Sequence, residues 1–254
     1  MLGAIVLASA PASSLRAAAP CGFADQGEGH VAAIVDNSSF RLDDGREIKL
    51  AGIETAISDT RRSAQDTLAA LIEHRDVTLR SDDDAPDRYG RQRAFVALAD
   101  TGTLVQRELV AQGEALAAPD VTDSECARLL AAAEAEARLA HRGIWGAGVI
   151  KNAESPDDIL SGIGRFTVVE GKVLSVRQAG ATTYLNFGHN WTRGFAVTIS
   201  RRILPVLEAA GLSVKSLENR RIRVRGWVEA QRGTNSGPRI DVFQTAQIEI
   251  LNSN

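Results

Sequence analysis

Short alternating runs of apolar and polar residues, punctuated by polar turns, dominate the first two-thirds of the chain. His30-Val31-Ala32-Ala33-Ile34-Val35 predicts a strand that breaks at the polar turn Asp36-Asn37-Ser38-Ser39. Phe40–Leu42 and Glu47–Ile53 follow as strands separated by Asp43-Asp44-Gly45. A period near 3.6 then replaces the alternation, and Ala64, Leu68, Leu71 and Ile72 predict a helix over Ser63–His74. Strands return at Val77–Arg80 and Ala94–Leu98, joined by the polar turn Asp87–Arg93 with Gly90 at its tip. Two more helices are expected, Leu104–Gly113 and Asp123–Arg142, the latter capped by Thr122 or Asp123 and stopped at Gly143. A meander of short strands with regular turns is the pattern of a small barrel.

After Trp145 the periodicity lapses. Residues 147–164 read as a linker or short helical connector, with Pro156, Asp157, Asp158 and several glycines. Strand patterns resume at Arg165–Val176, Thr182–Phe187, Phe195–Ser200, Arg220–Val228 and Arg239–Phe243, with a helix-like insert at Arg201–Ala210. Five strands and one inserted helix fit a second, OB-like barrel. The expected class is therefore mainly β with α: a first domain over 29–146 and a basic β domain over 165–254.

Charge sharpens that division. Residues 1–164 carry 16 Lys and Arg against 26 Asp and Glu, and residues 165–254 carry 13 against 6. The basic half faces either an anionic partner or the acidic first domain. At the N-terminus, residues 1–20 form an apolar run followed by small residues, too short to span a bilayer but similar to a secretory signal, although no Lys or Arg precedes Leu2. Export, to the periplasm or beyond, is the expectation. The two cysteines, Cys21 and Cys126, then either form one disulfide in an oxidising compartment or remain two thiols in a reducing one. Neither belongs to a zinc-binding pattern.

The order of motifs in the first domain carries a resemblance. Lys49-Leu50-Ala51-Gly52-Ile53-Glu54-Thr55, a helix, Asp87-Arg88-Tyr89-Gly90-Arg91, Leu109-Val110-Ala111-Gln112-Gly113, Glu134–Arg138 and Arg142-Gly143-Ile144-Trp145 together resemble the thermonuclease family. These staphylococcal-nuclease-like domains have a five-stranded OB barrel with three helices. The resemblance implies a calcium-dependent phosphodiesterase in which Ca²⁺ sits on two carboxylates and a backbone carbonyl, two arginines hold the phosphate and a glutamate activates water. Carried over by position, the metal ligands are Asp36, Glu54 and the Thr55 carbonyl, and the phosphate contacts are Lys49 and Arg91.

Several positions depart from that pattern. Ile57 stands where the water-activating Glu belongs and has no proton to move, a loss of roughly 10²–10⁴-fold. Asp59 is a weak substitute. Lys49 lacks the planar fork of an arginine, Glu54 is one methylene longer than the usual Asp, and Ala115–Asp120 contains none of the family's ligand-binding tyrosines. Two carboxylates with waters make a weak calcium site, on the order of millimolar. Two readings follow: an impaired, weak or altered calcium-dependent nuclease, or a non-catalytic exported binding protein for nucleic acid, another polyanion or a protein.

In the second domain, alternation in Arg221-Ile222-Arg223-Val224-Arg225 puts three arginines on one strand face, with Trp227 beside them. That face suits single-stranded nucleic acid if the arginines and an aromatic are free to bind; otherwise it is a solvated basic face.

Overall fold

The first unit closes on one long strand, β1 (Ala24–Asp36). The computed structural model describes residues 21–55, 61–83, 85–190, 192–230 and 237–251; the leader, Ile57 and Asp59 lie outside the described residues. The first part of β1 pairs antiparallel with β5 (Asp76–Ser81) and the second part with β2 (Ser39–Leu42). β2 pairs antiparallel with β3 (Glu47–Leu50), β3 runs parallel to β6 (Gln92–Leu98), and β6 pairs antiparallel with β5, closing the barrel. Strand alternation turns Val31, Phe40, Leu42, Ile48, Leu50 and Leu79 inward, each almost fully buried. β1 begins at Ala24 rather than His30. Its polar first segment is held by the β5 ladder, not by an apolar face, so periodicity alone missed it.

Three helices cover this barrel: α1 (Arg61–Ile72), α2 (Val105–Ala111) and α3 (Ser124–Leu139). α1 stops short of the expected His74, which takes a left-handed φ of 58° and donates its N–H to the Val31 carbonyl. Asp123 caps α3 by accepting from the Cys126 N–H at 2.7 Å. A two-residue pair lies beside the barrel, β4 (Ile53–Glu54) with β7 (Leu116–Ala117). The segments ending at Gly113 and beginning at Arg142 cross at backbone contact. The Ile144 N–H donates to the Gly113 carbonyl, and a Cβ on Gly113 or on Gly143 would lie 2.3 Å from the other segment's carbonyl oxygen.

The segment expected as a linker is structured into the second unit. β8 (Ile150–Asn152) runs parallel to β9 (Phe166–Lys172), and α4 (Pro156–Leu160) follows β8. β9 leads through Val173 and Leu174 into β10 (Ser175–Ala179). β11 (Thr182–Asn186), β12 (Ala196–Ser200), α5 (Leu204–Ala209), β13 (Arg221–Ala230), β14 (Pro238–Val242) and β15 (Ile248–Leu251) complete it. Taken as one bent strand, β9–β10 pairs with β13 through its first part and with β11 through its second. β11 pairs antiparallel with β12, β12 runs parallel to β14, and β14 pairs antiparallel with β13. This is the same circuit as β1–β2–β3–β6–β5, with α5 where α1 stands. A second OB-like unit is thus built from a sequence with its own core of Leu185, Val197, Ile199, Val224 and Ile240.

The two units share an apolar seam, in which Leu116, Ala137, Ile144 and Trp145 pack against Phe166 and Val168. At its edge lies a buried ion pair. The Arg225 guanidinium donates to both oxygens of Glu134 at 2.7 Å, and the Glu134 side chain is only 2% exposed. Removing one partner strands the other charge in the interior. Glu134→Ala is expected to cost about 3–5 kcal/mol, whereas the apolar pair Glu134→Leu with Arg225→Met costs much less. Urea unfolding of the single and double variants measures the difference.

Cys21 and Cys126 form a disulfide that spans 105 residues of sequence and ties the start of the described chain to α3. The same bond closes a large loop in the unfolded chain, so Cys21→Ser or a reductant is expected to lower stability by on the order of 3–4 kcal/mol. A denaturation midpoint unchanged by reductant would contradict this.

Candidate nucleic-acid and phosphate site

The turn after β1 sets one wall of the site. Asp36 Oδ1 accepts from the Ser38 N–H at 2.8 Å and from the Ser38 hydroxyl at 3.1 Å, an Asx turn that fixes the carboxylate. Lys49, on the outer face of β3, reaches this turn and donates to the Ser38 hydroxyl oxygen. Its strand neighbour in the β3–β6 register is Arg93, so two cations stand side by side on the barrel's outer face. Burial pushes the Lys49 ammonium below its usual pKa. Asp36 and Glu54 oppose that shift, while Arg91 and Arg93 reinforce it. Glu54, at the end of β4, is held above the usual carboxylate range by burial, with Lys49 pulling the other way and Asp120 adding to the rise. Asp36, Lys49, Glu54 and Arg91 thus share one electrostatic neighbourhood, with Thr55 directly after Glu54.

Arg91 is held by its own turn. Its Nε donates to Asp87 Oδ2 at 2.9 Å and its second terminal nitrogen lies 2.8 Å from the same oxygen. Asp87 Oδ1 accepts the backbone N–H groups of Tyr89 and Arg91, and Gly90 bends the tip with a φ of 81°. The guanidinium also lies 5.2 Å from the centre of the Tyr89 ring. The sequence anticipated a directed Arg91; the structure adds that Asp87 and Tyr89 do the directing.

Arg93, Asp120 and Ser38 escaped the sequence reading. Arg93, near the start of β6 and two residues after Arg91, pairs with Asp120 at 3.3 Å. A cavity of about 470 Å³ opens beside them, lined by Arg93, Asp120, Asp82, Asp83 and the stacked rings of Phe23 and Phe95, 4.4 Å apart. Phe23, just before β1, and Phe95 on β6 give this cavity an aromatic floor, and its rim is acidic. Ser38 also went unremarked as the link between Lys49 and Asp36.

The expected basic face of β13 requires correction. Ile222 and Val224 are buried as the alternation required, but Arg223 pairs with Glu170 and Glu249, and Arg225 with Glu134. Their side chains are 11% and 13% exposed. Arg221 is exposed and lies 3.9 Å from Glu170. Trp227 is half-exposed and meets Phe166 edge-on. Carboxylates from β9, β15 and α3 use the two central guanidinium groups, so this strand does not offer the row of free arginines that a single strand of nucleic acid needs.

A five-stranded OB barrel with three covering helices and a cationic outer face defines the class of the first unit. Residues 48–147 match the family described as staphylococcal nuclease homologue, a span that runs from β3 past Trp145. Over that span the first unit is similar to this family, and the second β unit follows it. No curated protein matches the chain.

Asp87 supplies a test of the turn. Burial would raise its pKa, but the side-chain and backbone hydrogen bonds from Arg91, with that from Tyr89, outweigh burial and hold the carboxyl down to about 2. Because the folded value is depressed, the stabilisation is present above the unfolded pKa of about 3.9 and is lost as pH falls through about 2. Carboxyl-carbon NMR is expected to place the midpoint of Asp87 near 2 in the native protein and closer to the unfolded value in Arg91→Ala. Equal midpoints would dissociate Arg91 from the turn.

Proposed function

We propose that the protein is a nucleic-acid-binding member of the nuclease-fold class whose hydrolytic power is weakened, so that it binds the phosphate backbone and cleaves it slowly at best. The observation that carries this reading is the cationic set on the first barrel: Lys49 and Arg93 in register, with Arg91 directed by Asp87. An arginine held in a turn is suited to phosphate oxygens. The substitution of Ile57 at the position of the water-activating Glu removes the group that would move the proton.

The donor set does not fit a tightly held calcium ion. The Asp36 carboxylate already accepts two bonds from Ser38, the Lys49 ammonium enters the same turn, and no group of three or more metal-binding side chains occurs among the described residues. Calcium on Asp36, Glu54 and the Thr55 carbonyl would be a weak, exchangeable ligand, on the order of millimolar. Export to an oxidising compartment completes the proposal. It is supported by the Cys21–Cys126 disulfide, and among the described residues no helix is long and apolar enough to cross a membrane.

Fluorescence anisotropy with single-stranded DNA, and hydrolysis of DNA and RNA with calcium or EDTA, test the reading. Binding is expected at low salt and is expected to weaken about ten-fold in Arg91→Ala. Hydrolysis is expected at the level of that variant, and Ile57→Glu is expected to raise it by on the order of 10²-fold. Rapid calcium-dependent cleavage by the native protein, abolished in Arg91→Ala, would show an intact nuclease and overturn the weakened one. Absence of any nucleic-acid binding would leave the barrel as a platform for another partner.

A further inference from the structure

The second OB-like unit carries a groove of its own on the face that corresponds to the cationic face of the first. In the first unit the outward residues of the parallel pair β3–β6 are Lys49 and Arg93. In the second, the parallel pair β12–β14 sets Thr198 opposite Asp241, with Val197, Ile199, Ile240 and Val242 turned into the core. Tyr184 on β11 stands next to Thr198 on the same outward face. A groove of about 540 Å³ runs over these strands, walled by Tyr184 and the half-exposed Phe243 and edged by the hydroxyls of Thr182 and Ser200. This outer sheet face and its loops are where OB folds take oligonucleotides or oligosaccharides.

The charges in the groove decide between those two. Its lining contains one cation, Arg239, and that guanidinium is already matched. One terminal nitrogen donates to Glu229 at 2.7 Å, and Nε lies 3.8 Å from Asp241. Asp241 also accepts from the Thr198 hydroxyl. A phosphodiester entering here meets the Asp241 carboxylate and a lining cation that is already matched, which is unfavourable for a polyanion; the exposed Arg177, opposite Tyr184 in the β10–β11 register, stands outside the groove lining. A neutral polyhydroxylated ring meets complementary groups. Asp241 accepts, the serine and threonine hydroxyls do both, and the Arg239 guanidinium keeps N–H groups beyond the one given to Glu229. Tyr184 and Phe243 offer rings for the apolar face of a pyranose, while the polar groups fix its orientation.

We propose that this groove binds a neutral oligosaccharide, with Tyr184 as the stacking anchor and Asp241 with Arg239 as the hydroxyl-recognising pair. The site is separate from the phosphate-binding face of the first barrel and does not depend on that reading.

Isothermal titration of the full-length protein with chitohexaose, cellohexaose and an oligothymidylate tests the proposal. At least one neutral hexasaccharide is expected to bind saturably, with an affinity that changes by less than about two-fold between low and high salt. Tyr184→Ala and Asp241→Asn are each expected to weaken that binding at least about ten-fold, with circular dichroism and thermal midpoint confirming that the variants remain folded. Arg91→Ala is expected to leave it unchanged. Failure of both hexasaccharides to bind overturns the proposal. So does oligothymidylate binding that is lost in Tyr184→Ala and falls steeply with salt, which would make the groove a nucleic-acid site.

Discussion

The clamp on Ala117 joins the two units and the candidate site. Glu134 Oε2 accepts the Ala117 N–H at 2.8 Å, and Arg225 donates to the Ala117 carbonyl at 3.0 Å while holding both Glu134 oxygens. Both polar groups of one residue in β7 are therefore satisfied by a helix of the first unit and a strand of the second. The same β7 pairs with β4, so Ala117 stands opposite Ile53 and Leu116 opposite Glu54. A carboxylate as buried as Glu134 is tolerated only with a charged partner and filled hydrogen-bonding capacity. The chain thus makes the strand that ends in Glu54 depend on Arg225, more than a hundred residues away in sequence. The second barrel is part of what shapes the first barrel's site.

That dependence uses one arginine of the basic second half on a carboxylate of the acidic first. A basic second half suggests an anionic partner, and one such partner is the first unit itself: Glu134 receives Arg225, and Arg138 on the same helix lies 3.7 Å from Glu249. The charges alternate along this seam, through Arg225, Glu134, Arg138, Glu249, Arg223 and Glu170. Sequence composition could raise the possibility. It could not assign the arginines, because strand alternation tells which face a side chain takes and not which element packs on that face.

The first barrel was legible where local rules act. Apolar alternation found β2, β3, β5 and β6, the Asp123 cap and Gly143 bracketed α3, and Gly90 marked the turn that aims Arg91. Legibility failed where pairing overrides pattern. The polar start of β1, the two-residue β4 and β7, and β8 inside the expected linker exist because a neighbouring strand supplies their hydrogen bonds. At the site, the sequence supplied Asp36, Lys49, Glu54 and Arg91 through resemblance, and the structure gathers them. Ser38 and Asp120 are ordinary polar residues in sequence and acquire a role only from what they touch. The floor of the adjoining cavity was invisible for the same reason, since Phe23 and Phe95 meet from segments far apart in the chain.

The repeated circuit shows how one architecture diverges at a fixed point. Both units place a parallel strand pair beneath an outward face, and the residues at matching registers differ in charge: Lys49 with Arg93 in one, Thr198 with Asp241 in the other. The backbone dictates that such a face exists and that neighbouring side chains on it are close enough to act together. It says nothing about their chemistry. In the first unit two adjacent cations repel each other, and the arrangement is stable because Asp120 takes Arg93 and the Ser38–Asp36 turn takes Lys49. An anionic ligand relieves the same repulsion, which is the physical basis of the phosphate binding proposed for this face. In the second unit the charges already neutralise one another across Glu229, Arg239 and Asp241, and a ligand there gains by completing hydrogen bonds instead. Under the proposed reading, binding and hydrolysis are therefore separable: the first depends on the cations of this face, the second on a proton-moving group that Ile57 does not supply.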